Sequence, residues 1–476
     1  MKAKKQSREI TRGWFGRFNA LKAKVLLSTK MHPRHLLVLK VAVVFGLLLG
    51  ISWYRLDPDF GWHLAAGNYI RAHGIPAHDI FTYTARNFPW IDHEWGNDVI
   101  VSWLYQLGGY FVLCILYAAL WASALFVNGR RSLKVLSLAA VAFLPYAGIR
   151  PIAWTVLGFA LLLRFTSDKS RFPKLAIPLI FIIWANLHGG FVIGLVYLAY
   201  LAIARRSRSW GLILLLSIFA TFINVYGPRL YVEIARTLFD RSLHSQISEW
   251  EPFYILGPSW PYIILWMSGF WLFSRKKISH WLRFDTLLLV AGFSSSRNIP
   301  LFIVASLGNT DAYLKKALGM IPKRLDWPRK LVLGGLAIAV VISVGYGLKA
   351  TYWPFAPRES AYPVQAVAYL QTNACPGNLF NDYNYGGYLI WKLPSEPVYI
   401  DGRMPSWRAP DGIKYLDTYL QVIKNKTVRQ QQFTKYNIRC ALLRNTVTEL
   451  KMAKQLKSIG WRQVVQTNGS TLLIKR

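Results

Sequence analysis

Asp57-Pro58-Asp59 stands directly after the first long apolar run of the chain, residues 36–54. That run is long enough to cross a bilayer. Carboxylates beside a membrane exit are costly unless water, a cation or a reaction uses them. A second acidic cluster, Asp92-His93-Glu94, follows in the same connecting segment, and His63 lies between the two. Arg150 sits in Gly148-Ile149-Arg150-Pro151, His188 in the stretch 184–190, and Arg297 in Ser296-Arg297-Asn298-Ile299-Pro300. Arginine binds a phosphate or pyrophosphate bidentately. A carboxylate nearby can take the proton of an acceptor hydroxyl. The set therefore suits a transfer in which a lipid phosphate leaves. Asp59, with Asp57 as alternate, is the candidate base. Arg150, Arg297 and His188 are candidate phosphate ligands. Asp92, Glu94, His63 and His93 are candidates for holding an acceptor or a cation, and Asn186, Asn224, Glu249 and Arg403 are supporting candidates.

Plainer readings stand beside these. Asp59 can cap a helix that begins near Phe60. Asp57 precedes proline and can merely mark the end of a span. Arg150 and Arg297 can be interfacial anchors that snorkel, and His188 can be a hydrogen-bonded helix-end residue. His63, His93, Asp92 and Glu94 are metal-ligand types without a spacing that specifies a site. A divalent cation, Mg or Mn, stays open on this reading. Trp62, Trp90 and Trp95 can stack on a sugar, although most Trp and Tyr here read as interfacial belt residues.

The elements that must position these residues are membrane spans. The chain has 476 residues, 53% of them hydrophobic, and several windows of about 15–20 residues without charge. Its mean hydropathy is +0.26. A net charge of +35 would fit nucleic acid, but the distribution argues otherwise. Segments 1–40, 128–135, 164–174, 205–209, 275–283 and 313–330 hold 31 of the 57 Lys and Arg. The intervening connections, excluding the C-terminal region, hold about eight. Such a bias over short loops sets topology and leaves no role for nucleic acid. Spans are expected at 36–54, 108–127, 133–148, 151–165, 173–187, 190–204, 210–226, 259–274, 284–294, 299–312 and 331–349. The pair 284–294 and 299–312 has the alternative of one broken helix. Eleven crossings place the N-terminus in the cytoplasm and the C-terminal domain outside, in the inner membrane of a cell. The polar turns then fall at one membrane depth.

Residues 1–35 form a basic cytoplasmic segment with Ile10, Trp14, Phe18, Leu21 and Val25 near helical spacing. They suit an amphipathic helix on anionic lipid or a disordered tail. The membrane domain runs over 36–350, with large outer loops at 55–97 and 227–258. In the first loop, Trp62, Ala65, Ala66, Tyr69, Ile70 and His73 predict a helix along the outer interface. Residues 351–476 read as an exterior α/β domain. Helices are expected there at 363–371, 385–392, 412–424 and 447–458, and strands at 378–381, 397–400, 439–443, 462–467 and 470–475. Cys114 reads as a buried hydrophobe. Cys375 and Cys440 can pair if the compartment is oxidising, which spacing alone does not decide.

Asp57-Pro58-Asp59-Phe60-Gly61-Trp62-His63-Leu64 followed by Trp90-Ile91-Asp92-His93-Glu94-Trp95 resembles bacterial polytopic proteins related to the GT-C glycosyltransferases. The stretches 184–190 and 297–302, Asn381-Asp382-Tyr383, Gly386-Gly387-Tyr388 and Asp401-Gly402-Arg403 fit the same pattern, which covers about residues 50–410. The resemblance implies a polytopic α-helical fold that moves sugar from a polyprenyl phosphate or pyrophosphate to an acceptor. An acidic residue of the first outer loop would act as base or orient the acceptor, a role that falls here on Asp57 or Asp59. No Trp-Trp-Asp-Tyr-Gly motif of the oligosaccharyltransferase branch is evident, which weakens transfer of a preassembled glycan to asparagine.

The expected function is thus an inverting membrane glycosyltransferase. Its donor is a polyprenyl-phosphate sugar and its acceptor a glycan, lipid or protein, among membrane lipids. The rival readings are a transporter or flippase for an anionic lipid or glycan, and a noncatalytic membrane assembly protein.

Overall fold

Asn and Gly breaks, prolines and caps divide the apolar sequence into short helices. The computed structural model describes residues 32–129, 131–168, 170–247, 250–252, 257–321 and 361–475, with Gly334, Gly335, Ile338 and Glu359 besides. Most of the basic segment 1–35, the expected span 331–349 and Glu249 lie outside the described residues. Two compact units divide the chain, residues 1–44 and 45–476. The described part of the first is mostly exposed helix, and the contacts below all belong to the second.

The helices in order are α1 Pro33–Tyr54, α2 Phe60–His73, α3 Trp95–Phe126, α4 Leu133–Phe143, α5 Ile152–Thr166, α6 Ile177–Leu187, α7 Val192–Ala204 and α8 Arg208–Thr221. They continue as α9 Arg229–Leu238, α10 Leu243–Gln246, α11 Trp260–Phe273, α12 Ile278–Trp281, α13 Phe284–Ser294 and α14 Ile299–Met320. Among the described residues two stretches, Arg34–Tyr54 and Trp95–Phe126, are long and apolar enough to cross a membrane, and seven shorter apolar helices accompany them. An eleven-residue helix rises only about 17 Å against a hydrocarbon core of about 30 Å. Leu179, Ile183, Ile203, Phe219, Ile264, Leu272 and Val290 are each more than half exposed. Helices that are apolar on their outer faces as well as their inner ones suit a lipid environment.

Helix α3 loses helical geometry at Gly108 (φ −162°, ψ 25°) and Gly109 (φ 64°, ψ −157°), where the expected span 108–127 begins. Its earlier part buries Asn97, Asp98 and Ser102; its later part is apolar. The alternative of one broken helix over 284–312 is not what forms. Helices α13 and α14 fold back on each other through a tight turn. Asn309 Nδ2 donates to Asp285 Oδ2 at 2.8 Å, which brings the start of α13 beside the middle of α14.

The C-terminal domain holds α15 Val364–Thr372, β1 Asn378–Asn381, α16 Gly386–Lys392, α17 Tyr415–Lys424, α18 Lys426–Lys435, β2 Ile438–Arg444, α19 Val447–Ser458, β3 Trp461–Gln466 and β4 Ser470–Lys475. The sheet order is β1-β2-β4-β3, with β1 parallel to β2 and the other pairs antiparallel. Cys375 and Cys440 are bonded, tying the residues before β1 to β2, while Cys114 is free and buried. Helix α18 has too few apolar residues for its period to show in sequence. It forms because Asn425 Oδ1 accepts from Thr427 N–H at 2.8 Å.

The expected strand 397–400 does not join this sheet. It pairs instead with the first outer loop, Thr82 against Val398 in a parallel bridge. Val398 N–H donates to Phe81 O at 3.0 Å and Tyr83 N–H to Val398 O at 3.2 Å. Helix α2, expected along the interface, is buried over Phe60, Gly61, Trp62, His63, Leu64, Ala66, Gly67 and Ile70. It lies between α3 and α16. A Cβ on Gly61 would stand 1.9 Å from Gly387 O, and one on Gly387 would stand 2.2 Å from Pro58 O. Only glycine at both positions lets the two backbones meet.

Candidate active site

The turn after α1 is held by its own carboxylate. Asp57 Oδ1 accepts from Asp59 N–H at 3.1 Å, and Asp57 Oδ2 pairs with Arg150 Nε at 2.8 Å. Arg55 Nη1 donates to the carbonyls of Pro145 and Leu144, so the segment before Arg150 is fixed to the same turn. Asp59 occupies the N-cap position of α2 but its side chain makes no capping bond. Its carboxylate lies instead under the C-terminal domain. A Cβ on Gly402 would stand 1.8 Å from Asp59 Oδ1, and Tyr383 Oη donates to Gly402 O at 3.3 Å just beside it. Burial and the neighbouring Asp57 push the Asp59 carboxyl up to about 6, with His63 opposing them.

Glu94 stands among three imidazoles. His188 Nε2 is 3.2 Å from Glu94 Oε1, His93 Nε2 is 3.7 Å from the same oxygen, and His63 Nε2 is 3.6 Å from Oε2. The His188 tautomer follows from its other nitrogen. Nδ1 accepts from Gly190 N–H at 2.9 Å and lies 2.7 Å from Thr155 Oγ1. Thr155 Oγ1 itself accepts from Trp184 Nε1 at 2.9 Å, so its hydroxyl proton points to His188. The proton of His188 is therefore on Nε2, directed at Glu94. Burial pushes the Glu94 carboxyl up to about 8, aided by Asp98 and Asp92 and opposed by His63. Burial likewise pushes His93 down to about 4, with Arg297 and His63 adding to the shift. Burial, Arg297 and the other two imidazoles lower His188 as well. Near neutral pH the Glu94 carboxyl thus faces neutral His93 and His188 rings through hydrogen bonds rather than ion pairs. His63 Nδ1 contacts Asp98 Oδ1 at 2.6 Å.

A cavity of about 470 Å³ opens beside this cluster. Its walls are apolar, among them Ile152, Val192, Ile193, Val196, Ile234 and Leu301, and its polar end carries His93, His188 and Arg297. The Arg297 guanidinium lies 5.0 Å from the Trp250 ring centre. It senses Glu94, Arg150 and Asp59 electrostatically. One region therefore collects Asp57, Asp59, His63, Asp92, His93, Glu94, Arg150, His188 and Arg297.

Other candidates are placed elsewhere. Asn186 ties helix ends together: Oδ1 accepts from Trp95 Nε1 at 3.2 Å, and Nδ2 donates to Ile182 O and Ile223 O, both at 2.8 Å. Asn224 shapes the turn after α8. Arg403 is engaged by Asp401 and Asp79 at 2.6 and 2.8 Å, in a latch between the C-terminal domain and the first outer loop. Sequence reading missed Asp98 and Thr155, and it named Tyr383 and Gly402 only within the family resemblance. Of these only Asp98 had a signal, a carboxylate in the first turn of an apolar helix. Tyr226 Oη accepts from Asp92 N–H at 3.1 Å, a contact across 134 positions that no local pattern shows.

Among the described residues no three His, Cys, Asp or Glu side chains are grouped so as to hold a metal ion. Asp92 Oδ2 and Asp98 Oδ2 are buried without a hydrogen-bond partner.

No family model matches the chain, and no curated protein matches it in sequence. Solved structures do match. An archaeal oligosaccharyltransferase, AglB from Archaeoglobus fulgidus in complex with an inhibitory peptide and a dolichol-phosphate, superposes with a TM-score of 0.55 at 11% identity, covering 86% of this chain and 69% of that one. The chain shares the fold of that oligosaccharyltransferase. The Archaeoglobus fulgidus enzyme in its apo form, and tethered to an acceptor peptide containing the NVT sequon, gives TM-scores of 0.53 at 11% and 12% identity; each covers 85% of this chain and 69% of that one. At such identities the likeness is one of architecture.

Proposed function

We propose that the chain is a membrane glycosyltransferase that takes a sugar from a polyprenyl-phosphate-type donor and inverts the anomeric centre. The observation that carries this is the apolar cavity with Arg297 at its polar end, beside Arg150, Asp57 and Asp59. A lipid chain suits the walls, and a phosphate suits the arginines. The structural neighbour was solved with a dolichol-phosphate, which is the same ligand chemistry. The acceptor's hydroxyl oxygen attacks the anomeric carbon while the bond from that carbon to the phosphate oxygen breaks. The acceptor proton passes to Asp59, and the leaving electron pair stays on the phosphate, whose charge Arg297 and Arg150 stabilise. Asp57 positions Arg150. His188, with both ring nitrogens engaged, positions Glu94 rather than binding phosphate.

The same reading sets eleven crossings, with the N-terminus in the cytoplasm of a cell and the C-terminal domain outside over the polar turns. Transport draws no support from the 284–312 region, since α13 and α14 form a hairpin rather than a helix broken at mid-depth.

The test uses the purified chain in lipid nanodiscs with polyprenyl-phosphate-linked hexose. Release of polyprenyl phosphate is expected, with donor affinity lowered about tenfold or more in Arg297→Ala. Movement of intact donor across a vesicle membrane without any release would overturn transfer in favour of transport.

A further inference from the structure

The C-terminal domain is asymmetric in charge. From residue 421 to the end the sequence has twelve Lys and Arg and a single acid, Glu449. Glu449 is buried and engaged locally, accepting from Thr446 Oγ1 at 2.8 Å and Arg444 N–H at 3.3 Å. Among the described residues the domain's ion pairs are Lys392–Glu359, Arg403 with Asp79 and Asp401, and Lys414–Asp240. All lie before residue 421. Lys451, Lys454 and Lys457 recur on the exposed side of α19, whose other side buries Met452, Ala453 and Leu456. Like charges three residues apart repel, and nothing among the described residues offsets them.

In the same stretch a cavity of about 460 Å³ is lined by Lys426, Arg429, Arg439 and Lys475, with Gln430 and Thr434 beside them. Arg429 is fixed in place: Nη1 donates to Val422 O and Ile423 O at 3.2 Å each, and Nη2 to Gln455. The cavity lies where β2 begins and β4 ends, since Ile438 and Lys475 both line it. The opposite end of the sheet faces the candidate active site. There β1 runs out into Asp382 and Tyr383, and Asn381 Nδ2 donates to Ile400 O at 2.8 Å, next to the Asp401-Gly402 turn. Seven residues of β2 separate the two ends, about 20 Å of extended chain. A bilayer that holds the membrane domain is on the active-site side, so the basic pole points away from it.

We propose that this pole is a docking site for an anionic glycan, a chain of sugar or polyol units carrying phosphate or carboxylate groups, on the side of the membrane that the C-terminal domain occupies. Charge complementarity favours a polyanion. The amide and hydroxyl groups of Gln430 and Thr434 beside the cations suit a hydroxyl-rich chain. The site is remote from the transfer chemistry and stands whether or not that reading holds.

The test uses the full chain in neutral-lipid nanodiscs and measures binding of labelled polygalacturonate, poly(glycerol phosphate) and neutral dextran of similar length. Either polyanion is expected to bind, with affinity falling as salt rises, and dextran is not; the tighter of the two identifies the anionic group recognised. The triple variant K426E/R439E/K475E is expected to lose about tenfold or more of the affinity, whereas K134E/K276E/K277E, an equal charge change far from the pole, keeps it. Dextran binding equal to the polyanions, or equal losses in the two variants, overturns the site. Tighter binding to free phosphatidylglycerol vesicles than to either polymer overturns the glycan in favour of a second membrane. Wild-type binding to dextran and vesicles decides the matter even if a variant fails to fold.

Discussion

Two arginines in this protein meet carboxylates at turns, and they differ in what surrounds them. Arg403 makes bidentate bonds to Asp401 through Nε at 2.9 Å and Nη2 at 2.6 Å, and reaches Asp79 at 2.8 Å. Its guanidinium lies 4.9, 4.5 and 5.3 Å from the ring centres of Phe81, Trp90 and Trp407. Its side chain is 2% exposed and both carboxylates 0%. Arg150 pairs with Asp57, with exposures of 12% and 6%. It acts electrostatically on Arg297 and Asp59, and Arg297 lines the cavity. The first arrangement is buried and charge-paired, and it rivets the C-terminal domain to the loop carrying Trp90 and Asp92. The second lies beside Arg297, whose guanidinium lines a cavity that a ligand can enter. Residue type does not distinguish a rivet from a site; the neighbouring atoms do.

The comparison breaks first at Arg403. Arg403→Ala leaves two buried carboxylates unpaired and is expected to destabilise docking of the C-terminal domain by about 3–5 kcal/mol. Thermal melting and limited proteolysis read this directly. Arg403→Lys should rescue little, because an ammonium cannot reproduce the bidentate bond. Unchanged melting in both would place the rivet elsewhere.

Asp59→Asn should insert and melt normally yet lower transfer by about 10²–10⁴-fold. Full activity in this variant, and in the double variant with Asp57→Asn, would remove both residues from the chemistry.

Glu94 gives the next effect, on stability. Its folded-state pKa of about 8 lies above the ordinary carboxyl value. Its contribution is therefore fully present below about pH 4.5 and is lost as pH rises through 8. Glu94→Gln, which keeps the neutral form, should flatten this loss and stabilise the protein at pH 9 by on the order of 2 kcal/mol. Parallel melting curves for both proteins from pH 5 to 9 would show that Glu94 is ionised throughout.

The smallest effect separates Asp57 from Asp59. Activity should rise with pH through about 6 as Asp59 ionises. Asp57→Asn removes the negative charge that holds Asp59 up, so the acid limb should move to lower pH by less than about one unit. A limb that stays in place would mean that another group controls it.

Much of the fold was legible from short-range pattern. Strands β1 to β4 and helices α15, α16, α17 and α19 fall where alternation and amphipathic spacing predict them, because each has a buried face whose period the sequence displays. Helix α18 was not legible, since its residues are polar and a single Asn cap starts it. The strand 397–400 had the right local pattern but the wrong partner, because pairing is chosen by what the folded chain brings alongside. The site was legible as an inventory of polar turns, most of which the structure brings together. Asp98 and Thr155 were not, since a hydrogen bond has meaning only against a neighbour distant in sequence, and what Gly402 does depends in the same way on Asp59.

The sequence by itself determined that apolar helices alternate with basic and polar turns, that the last quarter is an α/β domain, and that carboxylates and arginines gather in the connections. Those are properties of residue type and period, which local physics reads. Tertiary structure alone decided that Asp57 takes Arg150, that Asp59 is left uncapped beneath Gly402, and that Arg403 is closed in by three rings. Each depends on burial and on partners brought together from distant segments, and those set the electrostatics from which any chemistry at the site follows.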